Sequence, residues 1–238
     1  MNAFAYGILL QWKIDIRNKG IILTYYVVPL VFFGFMGGIF TSIDPVAKLT
    51  LIQSMTIFGV TMGAFLGSPI PLVELYGSDI KKAYKVGGIP LGIAIVNNLI
   101  SGFIHLFMVS LAIFFIAPLV FKASVPDNLL LYFMVLAIFI FNCLLIGTVL
   151  GLFVKSMTKL TMVSQFLFLP SIMLSGIMFP SNMLPKVFEY VGKIFPATWG
   201  YINMCKDNYS ELSMIPFIVI TILTVVIIVF KVKYLEED

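Results

Sequence analysis

Long apolar blocks separated by short polar connections run through the sequence. Six have the length of a membrane-spanning helix: 20–40, 51–71, 91–118, 129–154, 160–180 and 213–230. At about 1.5 Å of rise per residue, runs of about 17 to 28 residues cross the hydrocarbon of a bilayer, and the longest tilt or protrude. Residues 3–18 follow a different pattern. Phe4, Ile8, Trp12 and Ile16 recur every fourth residue with Leu9 alongside, Lys13 and Arg17 flank the stripe, and Asp15 lies near its edge. This predicts an amphipathic helix in the interface plane with its Trp at headgroup depth; packing against the bundle is the alternative. In 181–212, Leu184, Val187, Phe188, Val191 and Phe195 repeat at helical spacing opposite Lys186, Glu189 and Lys193, until Pro196 breaks the pattern before Trp199 and Tyr201. A short outer helical hairpin follows, either an interfacial lid or a re-entrant plug held in protein.

The expected fold is therefore all-α: a single polytopic transmembrane domain over 1–238. It has an interfacial helix (3–18), five spanning helices (20–180), an outer segment (181–212), a sixth spanning helix (213–230) and a cytoplasmic tail (231–238). No internal repeat is visible, unlike many secondary transporters, which are built from repeated halves.

Composition agrees with this class. Hydrophobic residues make up 61% of the 238 residues and charged ones 11%, against about half and about a quarter in soluble domains. With the N-terminus inside, the inner face holds Lys13, Arg17, Lys19, Lys81, Lys82, Lys85, Lys155, Lys159, Lys231 and Lys233. The outer face keeps Lys48, Lys122, Lys186, Lys193 and Lys206. That bias places both termini in the cytoplasm. Lysine outnumbers arginine 14 to 1, the codon bias of an AT-rich bacterial genome, so the expected location is a bacterial cytoplasmic membrane. The first charge is Lys13, which leaves no basic region for a cleavable signal. The net charge of +4 forms no basic patch with interleaved aromatics, so nucleic acid is not an expected partner. Cys143 and Cys205 suggest neither a metal site nor a disulfide framework.

Small and polar residues inside the spanning segments are the candidate functional features. Gly59, Gly63 and Gly67 make two consecutive GxxxG steps, and Gly34/Gly38 and Gly147/Gly151 make one each. Such spacing lets helices approach closely, within one subunit or across a dimer. Asn97, Ser101 and His105 fall on one face of the third segment. Thr161, Ser164, Ser171 and Ser175 share a face of the fifth, with Gln165 beside them. These stripes either line a route or seam or make ordinary interhelical hydrogen bonds. His105 is the only histidine, which excludes a histidine-cluster metal site.

Asp15, Asp44, Glu74, Asp79, Asp127, Glu189, Asp207 and Glu211 read as loop or end positions. Ion-coupled carriers commonly hold carboxylates inside the membrane, so an external energy source is expected. The chain has no G-x-x-x-x-G-K-[ST] phosphate loop and no acid–base constellation. It is expected to have no catalytic, cofactor or metal site of its own and to dock a separate ATPase. The dock is the connection from Val73 to Pro90, where Ser78 caps a short helix presenting Lys81, Lys82, Tyr84 and Lys85 before Gly87-Gly88 ends it.

The stretch Leu174-Ser175-Gly176-Ile177-Met178-Phe179-Pro180, followed by Met183-Leu184-Pro185 and Phe195-Pro196, resembles the fifth-helix signature of the ABC-2 family of ATP-binding-cassette permeases. Glu74, Gly77 and Pro90 resemble that family's acidic, glycine and proline pattern between helices two and three. The spacing from Gly77 to Pro90 is longer than usual, and the customary arginines are lysines or absent. The resemblance implies an exporter half: two permeases, identical or sister chains, with two ATPase subunits that bind ATP and Mg. Glu74, Gly77, Lys81, Lys82, Tyr84 and Lys85 would couple to the ATPase. Ser175, Gly176, Phe179, Pro180, Pro185 and Pro196 would belong to an outer gate. The implied cargo is an amphipathic or hydrophobic molecule such as a peptide antibiotic, drug or lipid. The competing classes are an ion-coupled secondary carrier and a non-transporting immunity or scaffold protein.

Overall fold

A backbone in hydrocarbon has no water to bond, so each apolar run must satisfy its own N–H and C=O groups, and the helix does so within one segment. The computed structural model describes residues 3–77, 84, 86–88, 90–178, 183–206 and 211–237, and among these there is no strand. Helix α1 (Ala3–Arg17) leads into α2 (Lys19–Ile43). These are followed by α3 (Leu51–Tyr76), α4 (Leu91–Phe121), α5 (Leu129–Phe153), α6 (Met157–Met173), α7 (Lys186–Gly192), α8 (Pro196–Met204) and α9 (Glu211–Glu237).

Polar side chains set several of the boundaries. The Asn18 carboxamide oxygen accepts from the N–H groups of Gly20 and Ile21 at 3.0 and 3.3 Å, so the chain turns from α1 into α2 at one residue. Asn128 caps α5 through the Leu131 N–H at 3.0 Å, and Ser156 caps α6. Each satisfies a donor that the first turn of a helix leaves free.

Helices α2, α3, α4, α5 and α9 are long and apolar enough to cross a membrane. The 17-residue α6, about 25 Å long at helical rise, runs beside them. It ends seven residues before the expected limit of 160–180, because Leu174–Gly176 turns back with Gly176 at φ +91°. That region favours glycine, which lacks the Cβ that would clash.

Helix α3 is the centre of the bundle: 83% of its apolar window is buried, against 28% for α2 and for α9. Its glycines make that position possible. A Cβ on Gly63 would overlap the side chains of Leu106 and Tyr25, and one on Gly67 would lie 2.6 Å from the Thr24 hydroxyl. A Cβ on Gly59 would make only ordinary contacts with Pro29 and Ile113. The double GxxxG of the second segment thus faces α2 and α4 of the same chain. From the other side, Gly147 of α5 sits on the Ala64 carbonyl and Gly151 on Leu72.

Both helices that meet at Gly63 and Gly67 widen there into a π-turn, Leu23–Val27 in α2 and Gly63–Gly67 in α3. A proline follows each turn by two residues, Pro29 and Pro69. Proline lacks an N–H and crowds the carbonyl four residues back; a widened turn ahead of it accommodates both effects.

The basic residues of α1 mark an interface level. Lys13 and Arg17 are exposed where α1 crosses α4 beside Asn97 to His105. From Gly102 to the end of α4 at Phe121 is about 30 Å, one hydrocarbon thickness. The segments Leu91–Ser101 and Pro69–Tyr76 therefore project beyond that level. The Tyr76 hydroxyl donates to the Leu91 carbonyl at 2.8 Å and ties the projecting ends together.

Replacing Gly147 with alanine should drive a Cβ into the Ala64 backbone and cost about 1–3 kcal/mol, lowering the thermal unfolding midpoint of the purified chain. Gly92→Ala, where a Cβ meets nothing within 4 Å, should leave the midpoint unchanged.

Candidate functional site

Three regions hold the polar and glycine residues singled out in the sequence: the junction of α1 with α4, the projecting end, and the hairpin end opposite. At the junction, the stripe Asn97, Ser101 and His105 is buried and faces α1. Ser101 donates to Asp15 Oδ2 at 2.5 Å, and Gln11 donates to Oδ1 at 2.8 Å. The His105 ring stacks on Trp12, with centroids 4.0 Å apart and planes 5° from parallel, and Tyr25 stacks at 5.2 Å. Nδ1 of His105 shares a 2.6 Å hydrogen bond with the Tyr26 hydroxyl, while Nε2 lies 3.9 Å from Asp15 Oδ2 and has no hydrogen-bond partner.

Asp15 lies near the end of α1, as expected, but it is buried against α4 rather than exposed. Its side chain is 1% exposed, and burial pushes its carboxyl up to about 6, against the opposing effect of the Ser101 and Gln11 hydrogen bonds. The i, i+4 pair Gln11/Asp15 beside Trp12 is the sequence signal for such a buried polar face. The helix is both docked and amphipathic. Trp12 and Asp15 meet the bundle, and Tyr6, Leu9, Leu10, Ile14 and Ile16 are exposed. One turn along α4, Asn97 lies against Gly7, and Asn98 donates to the Ser68 carbonyl at 3.1 Å.

At the projecting end Glu74 is exposed on the last turns of α3, and Gly77 closes that helix with its N–H on the Val73 carbonyl at 2.9 Å. Tyr84 is helical and half-buried. Lys81, Lys82 and Lys85 lie outside the described residues.

At the opposite end, α8 is inserted into the bundle. Gly200 packs on Ile57 of α3 and Phe139 of α5, closer than any Cβ would permit. Pro196, Ala197, Thr198 and Asn203 are buried, so of the lid and the plug, α8 is the plug. Helix α7 stays outside it with Val187, Phe188 and Tyr190 exposed. The two are joined at the carbonyls that α7 leaves free at its end: Thr198 donates to Gly192 O at 2.6 Å and Trp199 to Lys193 O at 2.7 Å. Asn203 donates to Ser213 O at 3.0 Å and fastens α8 to α9.

Ser175 donates to Ile172 O at 2.7 Å, and Gly176 packs against the Tyr201 ring. Both line a cavity of about 460 Å³ with Glu189, Lys193, Thr198 and Tyr201. Pro185 and Pro196 start α7 and α8, where a missing N–H is no loss. Phe179 and Pro180 lie outside the described residues. The polar face expected on the fifth segment divides in two. Ser164 and Ser171 are buried, and their hydroxyls lack partners, whereas Thr161 and Gln165 are exposed.

These end-to-end helices, with a plug at one end and projecting ends at the other, are the frame of a multi-pass membrane protein. The family model described as ABC-2 type transporter matches residues 6–206, and the chain belongs to that family. It is thus a membrane permease component of ABC transport, and such permeases generally work with an ABC ATPase. No curated protein and no solved structure matches the chain.

An alanine at Gly176 would hold a Cβ at φ +91°, a strain of about 1–3 kcal/mol. Gly176→Ala is expected to lower the thermal midpoint and make the 174–201 region more sensitive to limited proteolysis. Ser175→Ala, which leaves the backbone free, should change both much less.

Proposed function

We propose that the chain is the translocating subunit of an exporter that moves an amphipathic or hydrophobic molecule, of the class of peptide antibiotics, drugs or lipids, outward across a bacterial cytoplasmic membrane. In this reading the projecting ends of α3 and α4 and both termini are cytoplasmic, and the α7–α8 hairpin faces outward. Moving a toxic peptide or drug in that direction would confer resistance to it.

The observation that carries the reading furthest is the exposed face of α6. Gln165 stands exposed eight residues into this apolar helix, near Phe166 and Leu169. A polar side chain at membrane depth faces protein or water rather than lipid. A second permease, either a copy or a sister chain, covers this face of α6, and the two chains enclose the route between them.

Two ATPase subunits bind ATP and Mg, and their closure acts on Glu74, Gly77 and the 78–90 connection. Helix α3 carries the motion, because it is buried along its length and its far end touches the plug at Gly200. Ser175, Gly176 and the prolines that start α7 and α8 then act as the release gate. The chain itself supplies no chemistry; its contribution is a path whose two ends open in turn.

A mild-detergent pull-down of the tagged chain should bring down an ABC ATPase in stoichiometric amount. The double substitution Lys81→Glu, Lys82→Glu is expected to reduce the recovered ATPase at least tenfold, with membrane insertion intact. Reproducible absence of any ATPase with the intact wild-type chain would contradict the reading. Undiminished recovery with the double variant would contradict only the docking site.

A further inference from the structure

We propose that Asp15 and His105 are positioning residues that latch α1 onto α4 in a proton-dependent way. The latch deepens the exporter reading and, as regulation of transport, rests on it. In this cluster α1 is joined to the bundle by the Ser101 hydrogen bond to the Asp15 carboxylate and by Trp12 stacked on His105, while Gln11, one turn back on α1, holds the other carboxylate oxygen. Tyr26 brings α2 into the same cluster through Nδ1. Three elements that must move together, if α1 passes ATPase motion to the spanning helices, therefore meet at one imidazole.

The geometry leaves room for one proton. Nε2 of His105 is buried without a partner, and Asp15 Oδ2 lies 3.9 Å away, too far for a hydrogen bond but close enough for charge to matter. The titratable groups that face Asp15 are His105 from α4 and Tyr25 and Tyr26 from α2. Lys13 and Arg17, on α1 itself, are exposed and do little to neutralise it. A bare carboxylate in this place is a buried charge without a full counter-charge, which is costly. A proton on the cluster removes that cost.

Asp15 titrates at about 6 when α1 is docked, against an ordinary 3.8. The docked state thus holds the proton more tightly than the undocked one. Docking strength is greatest below pH 3.8, falls as pH rises toward 6, and is flat above that. Between pH 5 and pH 7.5 the docking constant should drop about tenfold. A cytoplasm that turns acidic would tighten α1 on the bundle, and a neutral one would free it to move.

The chain has two tryptophans, Trp12 and Trp199, so Trp199→Phe isolates the emission of Trp12. With this variant in lipid nanodiscs, without ATPase or ATP, Trp12 emission should change sigmoidally between pH 5 and 7.5 with its midpoint near 6. Asp15→Asn, which keeps one acceptor and loses the titration, should abolish the transition. A wild-type readout guards against misfolded variants: amides of residues 3–17 should exchange hydrogen several-fold more slowly at pH 5.5 than at 7.5, after correction for intrinsic rates. Emission and exchange that do not depend on pH, or a transition that persists in a folded Asp15→Asn protein, would overturn the latch. Neither result depends on transport, so failure of the exporter reading would be seen separately.

Discussion

At Gly63 and Gly67 there is no side chain between α3 and the ring of Tyr25, and on the opposite side Gly147 rests on the backbone of α3. The other packing relations in the bundle follow from this closeness. With α2, α4 and α5 drawn against it, α3 is buried along most of its length. Inside a bilayer, lipid tails are as apolar as leucine, so helices associate through close packing and hydrogen bonds. The glycine seam provides the packing, and the Thr56–Tyr132 and Asn98–Ser68 bonds add polar ties. The paired π-turns ahead of Pro29 and Pro69 lie at the same level, so the tightest contact coincides with the least regular backbone. Such turns recur at functional positions in helices.

The buried central helix runs from one end of the bundle to the other. At one end the last turns of α3 project with the start of α4, bonded by Tyr76 to the Leu91 carbonyl. At the other, Ile57 of α3 touches the plug helix at Gly200. Helix α1 joins this frame through polar and aromatic contacts of Asp15 and Trp12 with Ser101 and His105, and Tyr6, Leu9, Leu10, Ile14 and Ile16 stay exposed. On α6, Gln165 stands exposed beside Phe166 and Leu169, and a polar side chain at membrane depth is unsuited to lipid.

Much of the fold was legible in the sequence because it depends on apolar run length. The limits of α4 and α5 nearly coincide with the expected 91–118 and 129–154. The end of α6 did not, since it depends on a turn at Gly176 whose backbone conformation no hydropathy pattern records. The double GxxxG was visible as a close-packing signal, but which helices it meets is a tertiary fact. The burial of Asp15 was not legible because it depends on what lies opposite, and Ser101 and His105 are 86 and 90 positions further along the chain. The polar stripe of the fifth segment divided because, among the described residues, one face of α6 is packed and the other exposed, so Ser164 and Gln165, adjacent in sequence, face different surroundings.

The central claim is that the projecting ends of α3 and α4 and the α7–α8 hairpin lie on opposite sides of the membrane, with α3 joining them. Cysteine accessibility tests it most directly. In a Cys143→Ala, Cys205→Ser background, single cysteines at Glu74, Asp127, Lys186 and Lys233 would be labelled in intact cells with an impermeant maleimide, before and after permeabilisation. The account predicts immediate labelling at 127 and 186, and labelling at 74 and 233 only after permeabilisation. Labelling of 74 and 186 from the same side would contradict it.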